Sequence, residues 1–291
     1  MFEGFTRKKL RANGVEINTL IIGDGPPLLL LHGYPQSHLI WHRVAPELAK
    51  RYTVVATDLR GYGDSEKPAG LADHSNYSKR EMARDQVDVM RQLGFDSFYL
   101  CGHDRGGRVS HRLAVDHPNA VRRMMLLDIS PTLTMYEQTS MEFARAYWWW
   151  FFLIQPTPFP EAMIAAAPET FLQKKIGWGH AGLSAFTPET YAAYLRHVSD
   201  PATMHAMCED YRAAASIDLE HDRADRAAGR KIACPVNVIW GEHGVVNRCF
   251  TPVADWQCVA SDVRGKTLLC GHYVPEEVPE ALLVEMRAFF R

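Results

Sequence analysis

Within 291 residues, the run Tyr99-Leu100-Cys101-Gly102-His103-Asp104-Arg105-Gly106-Gly107-Arg108 has the residue types and spacing to do chemistry. An apolar stretch that reads as a strand, Phe98 to Cys101, meets a glycine, then an acid, then two more glycines and a helical pattern. This is the layout of a nucleophile elbow, Gly-x-nucleophile-x-Gly, in which a sharp strand-to-helix turn lifts one side chain above a sheet. Gly102 and Gly106 suit it because so tight a turn brings backbones too close for side chains. The elbow usually carries serine. Here the position is Asp104, and a carboxylate attacks carbon to become an ester. That excludes a serine esterase and points to substitution at saturated carbon. Gly-x-Asp-x-Gly by itself also describes a surface turn, so the rest of the chain has to supply partners.

A nucleophile on such an elbow works with an acid and a histidine, met in the chain order nucleophile, acid, histidine. Thirteen histidines are present, and most have structural uses. His272 stands apart because Gly271-His272 falls after the last core strand and before the terminal helix. The acid usually follows the penultimate strand, here Gly241-Glu242-His243-Gly244, but Gly244 occupies the customary aspartate position. Asp128, at the end of the strand after the elbow helix, can reach the same histidine from a neighbouring strand. Asp128 is taken as the orienting acid, with Glu242 as runner-up.

These residues need a scaffold, and the patterning supplies one. Val15 to Ile22 alternates as a strand, and Pro27 to Leu31 is a continuous apolar run suited to a strand buried on both faces, ending in His32-Gly33-Tyr34-Pro35. Ser37 opens a helical stretch with Ile40, Val44 and Leu48 on one face; Tyr52 to Ala56 reads as the next strand. Ser78-Lys79-Arg80-Glu81 is a capping box for a helix ended by Gly94. Val121 to Leu127, Pro235 to Glu242 and Lys266 to Leu269 complete the strands, and Pro279 to Phe290 the last helix. Strand–helix–strand alternation implies a mostly parallel sheet covered on both sides. From Pro131 to Arg230 the strand-type runs vanish. Aromatics appear at helical spacing (Tyr136, Phe143, Tyr147, Trp148, Trp149, Trp150, Phe151, Phe152), and prolines punctuate short helices. The chain is therefore read as an α/β core over residues 1–130 and 231–291, interrupted by a helical cap over residues 131–230.

Composition narrows the classes. A net charge of −2 with no long basic block argues against nucleic acid and anionic membranes as partners. The first residues lack the apolar core of a signal peptide, and no apolar run approaches a membrane span. The six cysteines form no Cys-x-x-Cys pair and read as buried free thiols in a reducing cytoplasm.

Nearly the whole chain resembles the α/β-hydrolase superfamily, in the branch of haloalkane dehalogenases and epoxide hydrolases. His32-Gly33-Tyr34-Pro35 is similar to that branch's oxyanion motif. Gly102-His103-Asp104-Arg105-Gly106-Gly107-Arg108, Leu127-Asp128-Ile129, Asp210-Tyr211-Arg212-Ala213 and Gly271-His272 together resemble the haloacetate (fluoroacetate) dehalogenases. The resemblance implies an α/β-hydrolase fold and hydrolysis of short 2-halo acids through an aspartyl ester on Asp104, with His272 and Asp128 activating water. It implies backbone N–H groups of Tyr34 and Arg105 as oxyanion donors, and no metal or cofactor. Arg105 and Arg108, three apart on one helix face, are expected to bind the substrate carboxylate. Placed in the first turn they oppose the helix dipole, which argues for function. The resemblance places the halide donors at Trp149, Trp150 and Tyr211, with one departure: relatives carry histidine where this chain has Trp149. A histidine suits fluoride, whereas an indole suits chloride or bromide. A small haloacid is the expected partner, and a homodimer is left open. Two rivals stand beside this reading. An epoxide hydrolase usually needs two cap tyrosines, and Trp149 occupies the likeliest place for the second. A non-catalytic ligand-binding relative would have little use for an intact nucleophile, acid and histidine.

Overall fold

The alternating and apolar runs build eight strands: β1 (Thr6–Ala12), β2 (Val15–Ile22), β3 (Pro27–Leu31), β4 (Thr53–Thr57), β5 (Phe98–His103), β6 (Val121–Leu127), β7 (Val236–Gly241) and β8 (Val263–Leu268). They form one sheet in the order β1-β2-β4-β3-β5-β6-β7-β8. Only the β1–β2 and β2–β4 pairings are antiparallel. The computed structural model describes residues 1–291. β3 and β5 are wholly buried, as expected of strands covered on both faces. The helices Lys79–Gln92 and Arg105–Asp116 pack together against the sheet. No helix is long and apolar enough to cross a membrane.

Between β6 and β7 the chain is helical throughout, from Thr132–Glu137 to Ile217–Ala227. The apolar residues of these helices, Phe143, Trp149, Trp150, Tyr194, Met207 and Tyr211 among them, join the core of one sheet face. The other face is covered by the terminal helix Pro279–Phe289 and by Ile40, Trp41, Val44 and Leu48. All six cysteines are free thiols.

One strand was not anticipated, and two local expectations need correction. β1 escapes the sequence pattern because its residues are mostly exposed charges (Arg7, Lys8, Lys9, Arg11), so no apolar alternation marks it. The single helix read over Ile40 to Leu48 is broken into a 3₁₀ turn, His38–Trp41, and a short helix, Ala45–Leu48, that restarts at Pro46. At the capping box Ser78 accepts from the N–H of Glu81, but the Glu81 carboxylate turns away to Asn13 and Arg84.

Candidate active site

Four loops at the carboxyl ends of parallel strands converge, where open α/β sheets form their clefts. Tyr34 follows β3, Asp104 follows β5, Asp128 follows β6 and His272 lies beyond β8. Asp104 has φ 46° and ψ −114°, a backbone state that costs a non-glycine residue roughly 1–3 kcal/mol and survives only where its surroundings impose it. What imposes it is close packing. A side chain at Gly106 would strike the carbonyls of Leu31 and His32, and one at Gly33 would strike Asp104 itself. The strained turn holds the Asp104 carboxylate where the N–H of Tyr34 donates to its Oδ1 at 2.9 Å. No corresponding bond from the Arg105 N–H reaches that oxygen, so of the two expected oxyanion donors only Tyr34 is engaged in this state.

His272 Nδ1 lies 2.6 Å from Asp128 Oδ2, and the N–H of Gly241 donates to the other oxygen, Oδ1, at 3.0 Å. Asp128 is fully buried, whereas Glu242 is exposed and its carboxylate contacts no histidine. His272 Nε2 is buried without a hydrogen-bond partner and sits 3.8 Å from Asp104 Oδ2, beyond a direct bond. Behind it His103 Nε2 bonds the His272 carbonyl at 2.8 Å. Burial lowers His103 to about 3, so it stays neutral and props the loop. Burial opposes ionisation of Asp104 as well, yet His272, His103, Arg108 and Arg105 hold its carboxyl well below the usual carboxylate range. A buried, ionised carboxylate with one bare oxygen beside an acid-tethered imidazole can act as a nucleophile and then receive water.

The two arginines are not equivalent, which the spacing did not reveal. Arg105 is neutralised: Nε and Nη2 meet the Asp210 carboxylate, each at 2.8 Å, and only Nη1 is left without a partner. Asp210 raises its pKa further, outweighing burial, and Asp210 also pairs with Lys79 and accepts from Tyr62 at 2.6 Å. Arg108 is buried with no carboxylate in salt-bridge range. Its contacts are Thr132 Oγ1 (2.9 Å), Ser130 O (3.3 Å) and Met135 Sδ (3.2 Å), and its Nε is unpartnered. Burial, then Arg105, lowers its pKa with Asp104 opposing, so Arg108 is a buried cation with no acid in direct contact. The expected pair of free guanidinium forks is therefore one guanidinium without an acid, its Nε unpartnered, and one spare N–H.

Cap residues close the other side. Tyr211 Oη and Trp150 Nε1 are buried donors with no partner, and burial keeps the Tyr211 phenol protonated. Each ring carries an arginine: Arg105 lies 4.2 Å from the Tyr211 centroid and Arg108 lies 4.6 Å from that of Trp150. Trp149 is placed otherwise. It is not among the unpartnered buried donors; its ring lies tilted against Tyr147 (4.7 Å) and carries the Lys175 ammonium at 4.1 Å. Sequence reasoning passed over Lys175, although a lysine four residues after Phe171 on a buried helix face was a signal. It also left Asp210 without a role and missed the buried, unpartnered Tyr136 Oη beside the arginines. A surface depression of about 270 Å³, lined by Trp178, His180, His243 and Arg248, reaches down to His272. A wider open groove of about 1040 Å³ lies away from Asp104; its Arg7, Lys9, Arg11 and Arg196 are paired with acids, and its Lys67 donates to the carbonyls of Gly63 and Ser65.

Comparison with known proteins agrees with this geometry. Residues 26–248 match the family model of the alpha/beta hydrolase fold. A fluoroacetate dehalogenase of Burkholderia sp is 47% identical over 99% of this chain and 95% of its own. A soluble epoxide hydrolase of Corynebacterium sp. (strain C12) is 33% identical over 98% and 97% respectively. The crystal structure of ALR0039 from Nostoc sp PCC 7120 superposes with a TM-score of 0.97 at 54% identity, covering 100% of this chain and 99% of that one.

Proposed function

The chain belongs to the haloacetate dehalogenase family of the α/β-hydrolase superfamily, enzymes that hydrolyse carbon–halide bonds, and from that premise we propose that it converts short 2-halo acids to 2-hydroxy acids through an ester on Asp104. The observation that carries this reading is Arg108, a buried guanidinium without an acid, a few residues from an ionised carboxylate nucleophile. An unbalanced buried cation is costly, and a substrate carboxylate would balance it. Neutral halides and epoxides offer no such charge.

In the first step the bare Oδ2 of Asp104 attacks the α-carbon. The carbon–halogen bond breaks, its electron pair leaves with the halide, and Oδ2 becomes the ester oxygen. Arg108 and the spare N–H of Arg105 hold the substrate carboxylate, while Trp150 Nε1 and Tyr211 Oη donate to the departing halide. In the second step His272 Nε2 takes a proton from water as its oxygen attacks Asp104 Cγ. Asp128 holds the imidazolium that forms, and the Tyr34 N–H steadies the charge on Oδ1. Collapse of that intermediate breaks the Cγ–Oδ2 bond, the imidazolium returns its proton to the departing alkoxide, and glycolate leaves carrying the old Oδ2 while the water oxygen stays on Asp104. The reading needs no cofactor.

Chloro- and bromoacetate are proposed to be turned over at least as well as fluoroacetate, because fluoride gains most from short, strong donors and Trp149 offers a ring face instead of an imidazole. The test is halide release from fluoro-, chloro- and bromoacetate beside a styrene oxide assay. Halide release without diol formation is the expected result. Diol formation without halide release would assign the epoxide reading, which the Corynebacterium relative keeps in view. That reading is weakened by Tyr147, whose hydroxyl lies 3.5 Å from His272 Nδ1 and so faces the base instead of pairing with Tyr211.

A further inference from the structure

Displacement of halide creates a new negative charge on the cap side of the pocket. The two arginines are occupied, one by Asp210 and the other by the substrate carboxylate, and the halide donors Trp150 and Tyr211 are neutral. One further buried cation has no carboxylate partner. Lys175, on the helix Pro168–Ile176, is 1% exposed, and no carboxylate lies within salt-bridge distance of its ammonium. Its Nζ donates to Tyr273 Oη at 3.0 Å and is otherwise surrounded by ring faces: Trp149 at 4.1 Å, Tyr273 at 5.4 Å and Tyr34 at 5.5 Å. Such a cage holds a cation by the quadrupoles of the rings while leaving it free to meet an anion.

Its position relative to the arginines follows from helix geometry. Trp149 and Trp150 are consecutive on one short helix, so their side chains point about 100° apart. Arg108 lies on the Trp150 ring and Lys175 on the Trp149 ring, so the two cations approach from different sides. Tyr34 ties Lys175 to the chemistry. Its N–H holds Asp104 Oδ1, and its ring touches both the lysine and Tyr211, the latter at 5.1 Å. The titratable and charged groups facing Lys175 are Asp104, His103, Tyr34 and Tyr273. Of these only Asp104 is negative at neutral pH, and Asp104 loses its charge as the ester forms. The halide then becomes the anion available to the ammonium.

Resting on the dehalogenase reading above, we propose that Lys175 is a specificity-determining residue, the cation that stabilises the departing halide from the cap side and so sets how the enzyme ranks halogens. It donates a hydrogen bond and keeps its proton. Its help is greatest where the leaving group is poorest, so fluoride depends on it more than chloride, and chloride more than bromide. Burial lowers the Lys175 pKa to about 7, with Asp104 opposing, so the ammonium is part-discharged just above neutrality.

The test is single-turnover halide release by the wild type, Lys175→Met and Lys175→Arg with bromo-, chloro- and fluoroacetate, followed across pH. In Lys175→Met the chloroacetate rate is expected to fall roughly ten- to hundred-fold, the range for losing a charged hydrogen bond. The bromoacetate rate should fall much less, and Lys175→Arg should restore most of the difference. The wild-type chloroacetate rate should decline as pH rises past neutrality, and Lys175→Arg should lack that decline. An equal fall for every halogen would mean that the lysine only supports the cap. A raised KM with unchanged rates would mean that it recruits acids at entry. Either result overturns the proposal. If Lys175→Met does not fold, the pH arm decides alone: a decline identical for bromide and chloride, or retained in Lys175→Arg, overturns it too. A wild type that releases no halide from any of the three acids would instead sink the dehalogenase reading on which this rests.

Discussion

The two halves of the pocket are built on opposite terms. On the sheet side each group is held by one partner, Asp104 Oδ1 by Tyr34, His272 Nδ1 by Asp128 and Asp128 Oδ1 by Gly241, which leaves only the reacting atoms Asp104 Oδ2 and His272 Nε2 open. On the cap side the donors are left wanting, with Trp150 Nε1 and Tyr211 Oη bare and Lys175 held only by rings and one phenol. Arg105 and Arg108 carry the same contrast within one helix turn. Preorganisation on the sheet side fixes the chemistry, because dipoles already in place need no rearrangement at the transition state. On the proposed reading, unsatisfied donors on the cap side select the ligand, because a buried donor left bare costs about 1–3 kcal/mol that only a fitting anion removes.

The comparison breaks first at Asp104. Asp104→Asn should reduce halide release to background while leaving the fold intact, and a single wild-type turnover in ¹⁸O water should label Asp104 and not the first glycolate. Label appearing directly in that glycolate would mean that water attacks the α-carbon without an ester. Next in size, His272→Ala should slow ester hydrolysis by about 10²–10⁴ while sparing the first halide burst. Mass spectrometry of this variant with bromoacetate should find the adduct on Asp104. Asp128→Asn should slow turnover and Glu242→Gln should not.

The arginines separate stability from binding. Arg105→Met should destabilise the protein by about 3–5 kcal/mol in denaturant titration, since it strips a buried carboxylate of its bidentate partner. Arg108→Met should leave stability unchanged or higher, because it removes a buried charge with no acid in direct contact, yet should raise the KM for haloacetates strongly. Arg108→Lys should raise that KM by roughly ten- to hundred-fold. Equal destabilisation in the two methionine variants would dissolve the distinction. A smaller effect is expected from Trp149→His, which should shift the rate ratio towards fluoroacetate. Smallest is a stability trend. Because Lys175 has a lowered pKa in the folded state, the unfolded chain binds the extra proton between about pH 7 and its ordinary value near 10.5, so wild-type stability gains with rising pH across that window. The melting-temperature advantage of Lys175→Met should therefore be largest near pH 7 and shrink towards pH 10.

Strands buried on both faces and an elbow rich in glycine are visible in sequence because local sterics dictate them. β3, β5 and the strand-end positions of Asp104, Asp128 and His272 were legible for that reason. What was not legible depends on distant pairing. Asp210 lies 105 residues from the arginine it neutralises, so Arg105 and Arg108 look alike on a helix surface until the cap is laid over them. The cage of Lys175 was hidden for the same reason, although its place on a buried helix face was a signal: the rings come from Tyr34, Trp149 and Tyr273, three segments far apart in the chain. β1 was lost because a charged edge strand has no apolar face to announce it.

Asp210 also bears on how molecules come and go. It belongs to the cap helix Pro201–Ala214, whereas Arg105, Lys79 and Tyr62 belong to the α/β core. Lifting the cap like a lid would part a buried carboxylate from both its cations, at about the 3–5 kcal/mol that losing even one buried partner costs. A haloacid of a few atoms has no need of so large an opening, since the seam at Trp178, His180 and His243 already descends to His272. There the His180 and His243 rings stack at 4.1 Å across the joint between cap and core. On the proposed reading, acid enters and halide leaves by the swing of a few side chains at this seam, motions of picoseconds to nanoseconds at exposed positions.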